Sequence, residues 1–177
     1  AVVVPVNYLI GEEETTHIYQ DCGAETVISS CTLVPKIEAA RNRVETVKNV
    51  ILVDKEATER YHSYGELLEE NSDKLEMVKT DDDDLATLVY TAGTTGRPKG
   101  VMHAHGGYAV GTAQTLSWVF DLKDEDVWWC AADIGWVTGH SYIVYAPLMN
   151  GTTIVFYEGA PDQPDPGRWW SIVQNKK

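Results

Sequence analysis

The chain has 177 residues, of which 44% are hydrophobic and 23% are charged, and its formal net charge is −13. These values are typical of a globular chain that is long enough to bury a core. So acidic a surface repels nucleic acid and anionic membranes, and neither is predicted as a partner. No segment has the pattern of a signal peptide or a membrane span. We therefore expect a cytoplasmic protein whose three cysteines are reduced thiols.

The first half of the chain alternates predicted strands with predicted helices. Acidic residues at its start favour a helix over residues 12–20, and an apolar repeat of helical period predicts another over residues 34–47. Ser63 is a candidate cap for a helix that runs to residue 69. Strands are predicted over residues 2–4, 25–28 and 49–53. This alternation predicts an α/β fold built from parallel β-α-β units, and a buried strand at the very start suggests an internal piece of a longer chain.

A polar connector over residues 71–84 ends in four consecutive aspartates. We interpret that run as a solvated linker and not as a cation site. It divides the chain into a first α/β segment, residues 1–84, and a second, residues 85–177. The second segment repeats the alternation, with strands ending at Tyr90 and over residues 126–131 and 152–157. Helices are predicted over residues 106–119, 139–149 and 168–175.

The segment of residues 90–100 combines glycines, threonines and two cations directly after an apolar strand. Glycines let a backbone approach an anion closely, and inward-pointing amides make a concave anion site. Hydroxyl donors come from Thr91, Thr94 and Thr95, and positive charge comes from Arg97 and Lys99. Neither the G-x-x-x-x-G-K-[ST] nor the G-x-G-x-x-G pattern is present. A plain surface loop is the alternative, but the whole run favours a site for nucleotide phosphates.

The same run resembles the nucleotide loop of the adenylate-forming superfamily, which includes acyl-CoA synthetases, peptide-synthetase adenylation domains and beetle luciferases. Residues 100–108 and 133–142 are similar to the acetyl-CoA synthetase branch of that superfamily. The resemblance is dense over residues 85–170 and thinner before them. It implies part of a large N-terminal domain that activates acetate, or another short acid, with ATP and then transfers the acyl group to coenzyme A.

The resemblance also implies roles for particular residues. Trp136, Val137 and Thr138 would border the carboxylate substrate. The catalytic lysine and the glutamate that binds Mg²⁺ would lie beyond residue 177, so this chain alone is expected to be inactive. The small-molecule substrates would be ATP, a carboxylate and coenzyme A. The phosphates of ATP would be held by Thr91, Gly93, Thr94, Thr95, Gly96 and Lys99.

Other site hypotheses are weaker on the residues themselves. If they lay in a strand, His103 and His105 would share one face, but no third ligand lies near them or near His140 in sequence, and no metal site is predicted. The tryptophan pairs at 128–129 and 169–170 are expected to be structural, because no basic residues surround them. Two alternative functions remain open: a medium-chain or aryl acyl-CoA ligase, and a non-catalytic nucleotide-binding module.

Overall fold

The computed structural model describes residues 1–74, 76–91, 97–160 and 162–176. These residues form two compact units. Unit 1 comprises Ala1–Thr80 and Thr87–Met102, and unit 2 comprises Asp81–Ala86 and His103–Lys177. Each unit combines helices with parallel strand pairs, which confirms the predicted α/β class.

Unit 1 is built on a three-stranded parallel sheet in the order β1-β2-β3. Thr26 of β1 lies opposite Asn49 of β2, and Ile51 of β2 lies opposite His62 of β3. The connection from β1 to β2 passes through a short 3₁₀ helix and then helix α2, which is the β-α-β arrangement that the alternation predicts. The elements are α1 (Glu12–Cys22), β1 (Thr26–Ser29), the 3₁₀ helix (Cys31–Leu33), α2 (Val34–Arg41), β2 (Asn49–Leu52), β3 (His62–Ser63), α3 (Tyr64–Glu70) and the strand pair β4 (Leu85–Thr91) and β5 (Lys99–Ala104).

The core of unit 1 joins α1 and α2 to one face of this sheet. Val27, Val50 and Leu52 point from the strands into it, and Ile18 and Ile37 meet them from the two helices. The period-2 burial of β1 and β2 places Ile28 on the other face, where it is exposed. The helices are therefore held to the sheet by apolar burial, the main favourable term in folding.

Unit 2 consists of helices and one short parallel pair. Helix α4 packs on a π-helical segment and on α6, with Leu116 and Ala146 fully buried. The elements are α4 (His105–Trp118), β6 (Val127–Trp128), α5 (Val137–Gly139), the π segment (His140–Tyr145), α6 (Ala146–Met149), β7 (Thr153–Ile154) and α7 (Arg168–Asn175). Within the described residues, none of the helices combines the length and the hydrophobicity that crossing a membrane requires.

Helix ends in unit 1 follow local capping chemistry. The Glu14 carboxylate accepts a hydrogen bond of 2.8 Å from the Gly11 amide at the start of α1. At its end Gly23 adopts φ 62°, and the next amide, of Ala24, reaches back to the Tyr19 carbonyl. The Ser63 hydroxyl accepts from the Glu66 amide, which confirms the predicted cap of α3.

Several predicted bounds are wrong. Residues 2–4 do not form a buried strand, because Val2 and Val3 are exposed and only Val3 makes a bridge, to Thr87. Helix α2 ends at Arg41 and not at Val47. Val44 and Val47 are still buried, but they lie in the irregular segment that follows the helix. The strands β6 and β7 span two residues each, and β5 was not predicted at all.

The C-cap of α1 gives a first testable prediction. Gly23→Ala should lower the free energy of unfolding of the full-length protein by about 1 kcal/mol, because a side chain disfavours the left-handed region. No atom lies within 4 Å of the added methyl group, so the cost would come from φ alone. Denaturant unfolding would measure it.

Gly111→Ala is the matched control. That glycine lies inside α4 at an ordinary helical φ, again with no atom within 4 Å of an added Cβ, so the substitution should stabilise by up to about 1 kcal/mol. Equal effects of the two substitutions would contradict the account of Gly23.

Candidate functional site

The predicted phosphate-binding residues fall at the facing ends of two strands in unit 1. Thr91 is the last residue of β4 and Lys99 is the first residue of β5, and both side chains are exposed. Gly93, Thr94, Thr95 and Gly96 lie outside the described residues. Of the predicted set, the structure therefore places a hydroxyl donor and an ammonium group at the borders of the glycine-rich segment.

Gly100 lies against an aromatic ring at this point. A Cβ on Gly100 would lie 3.1 Å from Cζ and 3.3 Å from the hydroxyl oxygen of Tyr90. Contacts this short are rare for a real Cβ, so the absence of a side chain lets the Tyr90 ring lie directly on the backbone of β5. Packing of the Tyr90 ring against β5 therefore explains the glycine at position 100.

The predicted acyl-pocket residues lie in unit 2, at the start of helix α5. A turn precedes them, in which an Asp133 carboxylate oxygen accepts from the Gly135 amide at 2.7 Å. The Asp133 carbonyl oxygen accepts from the Trp136 amide at 3.1 Å. Asx-turn bonds of this kind fix the backbone just before a helix.

The predicted acyl-pocket side chains are accessible. Trp136 is 55% exposed and Val137 is 37% exposed, and Thr138 is exposed as well. The indole is therefore not a core residue, and all three side chains are accessible to a ligand.

Helix α5 continues without a break into the π segment. The Trp128 indole donates a hydrogen bond of 2.6 Å to the Tyr142 carbonyl, and the Tyr108 and Ser141 hydroxyls lie 2.8 Å apart. Phe120 packs edge-on against both Trp128 and Tyr142, with ring centroids 5.2 and 5.4 Å apart. Segments of π helix are rare and are frequent at functional sites. The sequence predicted a helix here but carries no signal for this geometry.

His140 is the first residue of the π segment and is half-buried. Burial lowers the pKa of its imidazole, and a hydrogen bond with the Ile134 backbone opposes that effect. The neutral form is therefore favoured in the folded protein. Burial likewise raises the pKa of the Tyr108 hydroxyl, which stays protonated near neutral pH.

The histidine pattern differs from the prediction. His103 lies in β5, whereas His105 begins α4, so they do not share one face of a strand. The His103 ring contacts Tyr108 at a centroid distance of 5.1 Å. No cluster of three or more histidine, cysteine or carboxylate side chains lies together in the part of the chain that the structure describes.

Two open cavities lie away from the predicted residues. One, of about 290 Å³, is in unit 1 and is lined by polar groups that include Arg41, Lys48 and Arg60. The other, of about 280 Å³, is in unit 2 between the short strands and α7. Both arginines of the first cavity are paired with Glu38, which removes much of its positive charge. Neither cavity is lined by a predicted site residue.

The short distance between Gly139 of α5 and the backbone of the preceding turn gives a second prediction. An added Cβ on Gly139 would lie 2.3 Å from the Asp133 carbonyl oxygen and 2.7 Å from the Ile134 Cα. Gly139→Ala should therefore destabilise the full-length protein by roughly 1–3 kcal/mol, because backbone atoms would have to move. Thermal and denaturant unfolding would measure the loss.

Gly107→Ala, in the first turn of α4 with no atom within 4 Å of an added Cβ, is the control and should leave stability unchanged or slightly raised. A Gly139→Ala protein as stable as this control would refute the close approach.

The burial of His140 gives a third prediction, on pH. The unfolded chain binds a proton at the ordinary histidine pKa of 6.5, and the folded chain binds it only at lower pH. The unfolded state therefore holds more protons in that window, and stability is lost as pH falls from about 6.5 through the folded value. His140→Gln should flatten this part of a plot of melting temperature against pH. An unchanged slope below pH 6.5 would contradict the buried neutral imidazole.

The comparisons with known proteins agree on one family. The family model described as AMP-binding enzyme matches residues 1–177. The acetyl-coenzyme A synthetase of Methanothrix soehngenii is 46% identical over 171 residues, which cover 88% of this chain and 25% of that protein. The enzyme of the same name from Pyrobaculum arsenaticum is 61% identical over 87 residues, 49% of this chain and 13% of that protein.

A solved structure is similar over nearly the whole chain. The anthranilate CoA ligase AuaEII, in complex with anthranoyl-AMP, has a TM-score of 0.80 and 27% identity, and the match covers 90% of this chain and 31% of that one. The chain thus spans about a quarter of the length of the first of these curated relatives. Because the family model matches every residue, this chain belongs to the AMP-binding enzyme family.

Proposed function

We propose that the full-length protein that carries this chain is an AMP-forming acid–thiol ligase acting on acetate or another short carboxylic acid. A carboxylate oxygen would bond to the α-phosphorus of ATP, and pyrophosphate would leave with the electron pair of the broken P–O bond. The thiolate of coenzyme A would then bond to the acyl carbon and release AMP. The observation that carries this proposal is the 46% identity, over 171 residues, to an enzyme named acetyl-coenzyme A synthetase.

In this proposal the borders of the glycine-rich segment hold the β- and γ-phosphates. The Thr91 hydroxyl would donate a hydrogen bond, and the Lys99 ammonium group would add positive charge. Both are exposed at strand ends, as a ligand-binding role requires. Gly93, Thr94, Thr95 and Gly96 would supply further amides and hydroxyls. Donors fixed in place before the reaction stabilise the charge that develops on departing pyrophosphate.

The carboxylate would bind at the start of α5. An exposed Trp136 indole next to Val137 and Thr138 offers an apolar wall with one hydroxyl. Bulky groups leave little room and therefore favour a small acid. The turn anchored by Asp133 would hold the backbone of Trp136 in place, because the Trp136 amide donates to the Asp133 carbonyl oxygen.

Coenzyme A and Mg²⁺ are further components of the proposal. The metal would neutralise charge on the phosphates, which usually supply part of its coordination. Since the described residues contain no cluster of metal-ligating side chains, we assign this chain no ligand and no step that involves the metal. The free cysteines support a reducing, cytoplasmic location.

The competing substrate class is an aryl acid. The solved relative with 27% identity is an anthranilate CoA ligase, whose substrate is much larger than acetate. The two classes differ in the space that they need beside Trp136.

A fourth prediction tests the proposal on the full-length protein by ATP–pyrophosphate exchange with acetate, propionate, hexanoate and benzoate. Wild type should prefer acetate or propionate. Lys99→Ala should raise the KM for ATP by about 10- to 100-fold, the usual effect of losing a charged hydrogen bond, with little change in the KM for acetate. Trp136→Ala should do the reverse and should improve exchange with hexanoate relative to acetate.

The chain offers matched controls. Lys48→Ala removes an exposed lysine of the same unit that pairs with Glu25, and Trp170→Ala removes an exposed indole from α7. Both should leave the two KM values unchanged. Exchange only with benzoate would favour the aryl ligase, and ATP binding without exchange for any acid would favour a non-catalytic module.

A further inference from the structure

Helix α1 contacts the chain near the end of β4 and just before the start of β5, beside the predicted phosphate-binding segment. The Tyr90 hydroxyl donates to an Asp21 carboxylate oxygen at 2.6 Å. The His17 Nε2 atom lies 3.0 Å from the Pro98 carbonyl oxygen. A carbonyl oxygen can only accept, so Nε2 carries the hydrogen and His17 is the donor. The partners are 69 and 81 residues apart in sequence.

These two side chains form one surface of α1. His17 and Asp21 are four residues apart, a spacing that places them on the same side of a helix. Ile18 and Tyr19, by contrast, are 3% and 6% exposed in the core of unit 1. The helix is therefore fixed by its buried side while His17 and Asp21 extend from it to the strand pair.

Each residue that α1 contacts is next in sequence to a residue of the proposed site. Tyr90 precedes Thr91, and Pro98 precedes Lys99. Tyr90 also lies on the backbone of Gly100, so its side chain crosses β5 on the way to Asp21. Through Tyr90 and Pro98, α1 limits the positions that Thr91 and Lys99 can take.

The protonation of the Tyr90 hydroxyl follows from its surroundings. Burial raises the pKa of the Tyr90 hydroxyl, and the hydrogen bond to Asp21 and the negative charge of that carboxylate raise it further. Tyr90 therefore keeps its proton at neutral pH and remains the donor.

We propose that His17 and Asp21 are positioning residues for nucleotide binding, which hold Thr91 and Lys99 at the spacing that a polyphosphate needs. The inference rests on the proposed function of the 90–100 segment. A purely structural role would instead affect only stability, since among the described residues the two side chains bond to Pro98 and Tyr90 and not to Thr91 or Lys99 themselves.

The experiment uses the full-length protein and the variants Asp21→Ala, Tyr90→Phe and His17→Leu. ATP affinity is measured by calorimetry and by the KM for ATP in pyrophosphate exchange, next to the KM for acetate and the melting temperature. Each variant should weaken ATP binding by about 3- to 10-fold, as expected from losing one hydrogen bond, and leave the KM for acetate within about twofold. The Asp21→Ala and Tyr90→Phe effects should not add, because both remove one bond.

Conservative variants and a control separate positioning from stability. Asp21→Asn keeps an acceptor and His17→Gln keeps a donor, so both should restore most of the ATP affinity. Asp54→Ala removes another carboxylate that accepts a 2.6 Å hydrogen bond in the same unit, from Ser30, and it should leave ATP affinity unchanged.

An unchanged ATP affinity in Asp21→Ala and His17→Leu would overturn the inference, as would an equal rise of both KM values. Wild-type protein that binds ATP but exchanges no pyrophosphate would overturn the proposed reaction and leave the calorimetric test of positioning intact. Wild-type protein that binds no ATP would overturn both.

Discussion

The burial of one side of α1 is the constraint on which unit 1 depends. Ile18 and Tyr19 join the sheet residues in a single apolar cluster, and burial raises the pKa of the Tyr19 hydroxyl to about 12. Because interiors are close-packed, a helix fixed in this way has little freedom to slide or rotate. Its exposed side can therefore carry precise contacts. The hydrogen bond that His17 donates to Pro98 and the one that Asp21 accepts from Tyr90 both start from a helix that is held by this buried side.

Unit 2 achieves precision by a different route. The chain around Trp136 has little core of its own, and its position comes from polar bonds to the backbone: the Asp133 turn on one side and the indole of Trp128 on the other. In a π segment the backbone hydrogen bonds span five residues instead of four, so its side chains are rotated relative to their positions in an ordinary α-helix. Such a segment persists where its surroundings favour it, and here Phe120 and Tyr108 pack or bond against it. The irregularity thus sets which way the residues after Thr138 face.

The sequence predicted those features that local chemistry decides. Helices α1 and α3 begin and end close to their predicted positions, because their acidic first turns, Ser63 and Gly23 act within a few residues. The prediction failed where distant partners decide. Strand β5 depends on pairing with β4, and the apolar repeat of helical period continued past Arg41 to Val44, which is buried after the helix has ended. For the site, residue type and order indicated phosphate binding, whereas carboxylate binding was implied only by the resemblance to the adenylate-forming superfamily. The contacts of His17 and Asp21 could not be predicted, because their partners lie 81 and 69 residues away.

Electrostatics explains why fixed geometry matters so much to this chain. A protein with a net charge of −13 repels a triphosphate, although salt limits that repulsion to about 8 Å at physiological ionic strength. Within that range, the charges and amides next to the ligand decide the outcome. Asp21 is itself a carboxylate that accepts a hydrogen bond from Tyr90, which borders the predicted phosphate-binding segment, so on charge alone it would oppose nucleotide binding there. Under the proposed positioning role, the hydrogen bond that Asp21 accepts from Tyr90 would contribute more to binding, by ordering the donors, than its negative charge removes.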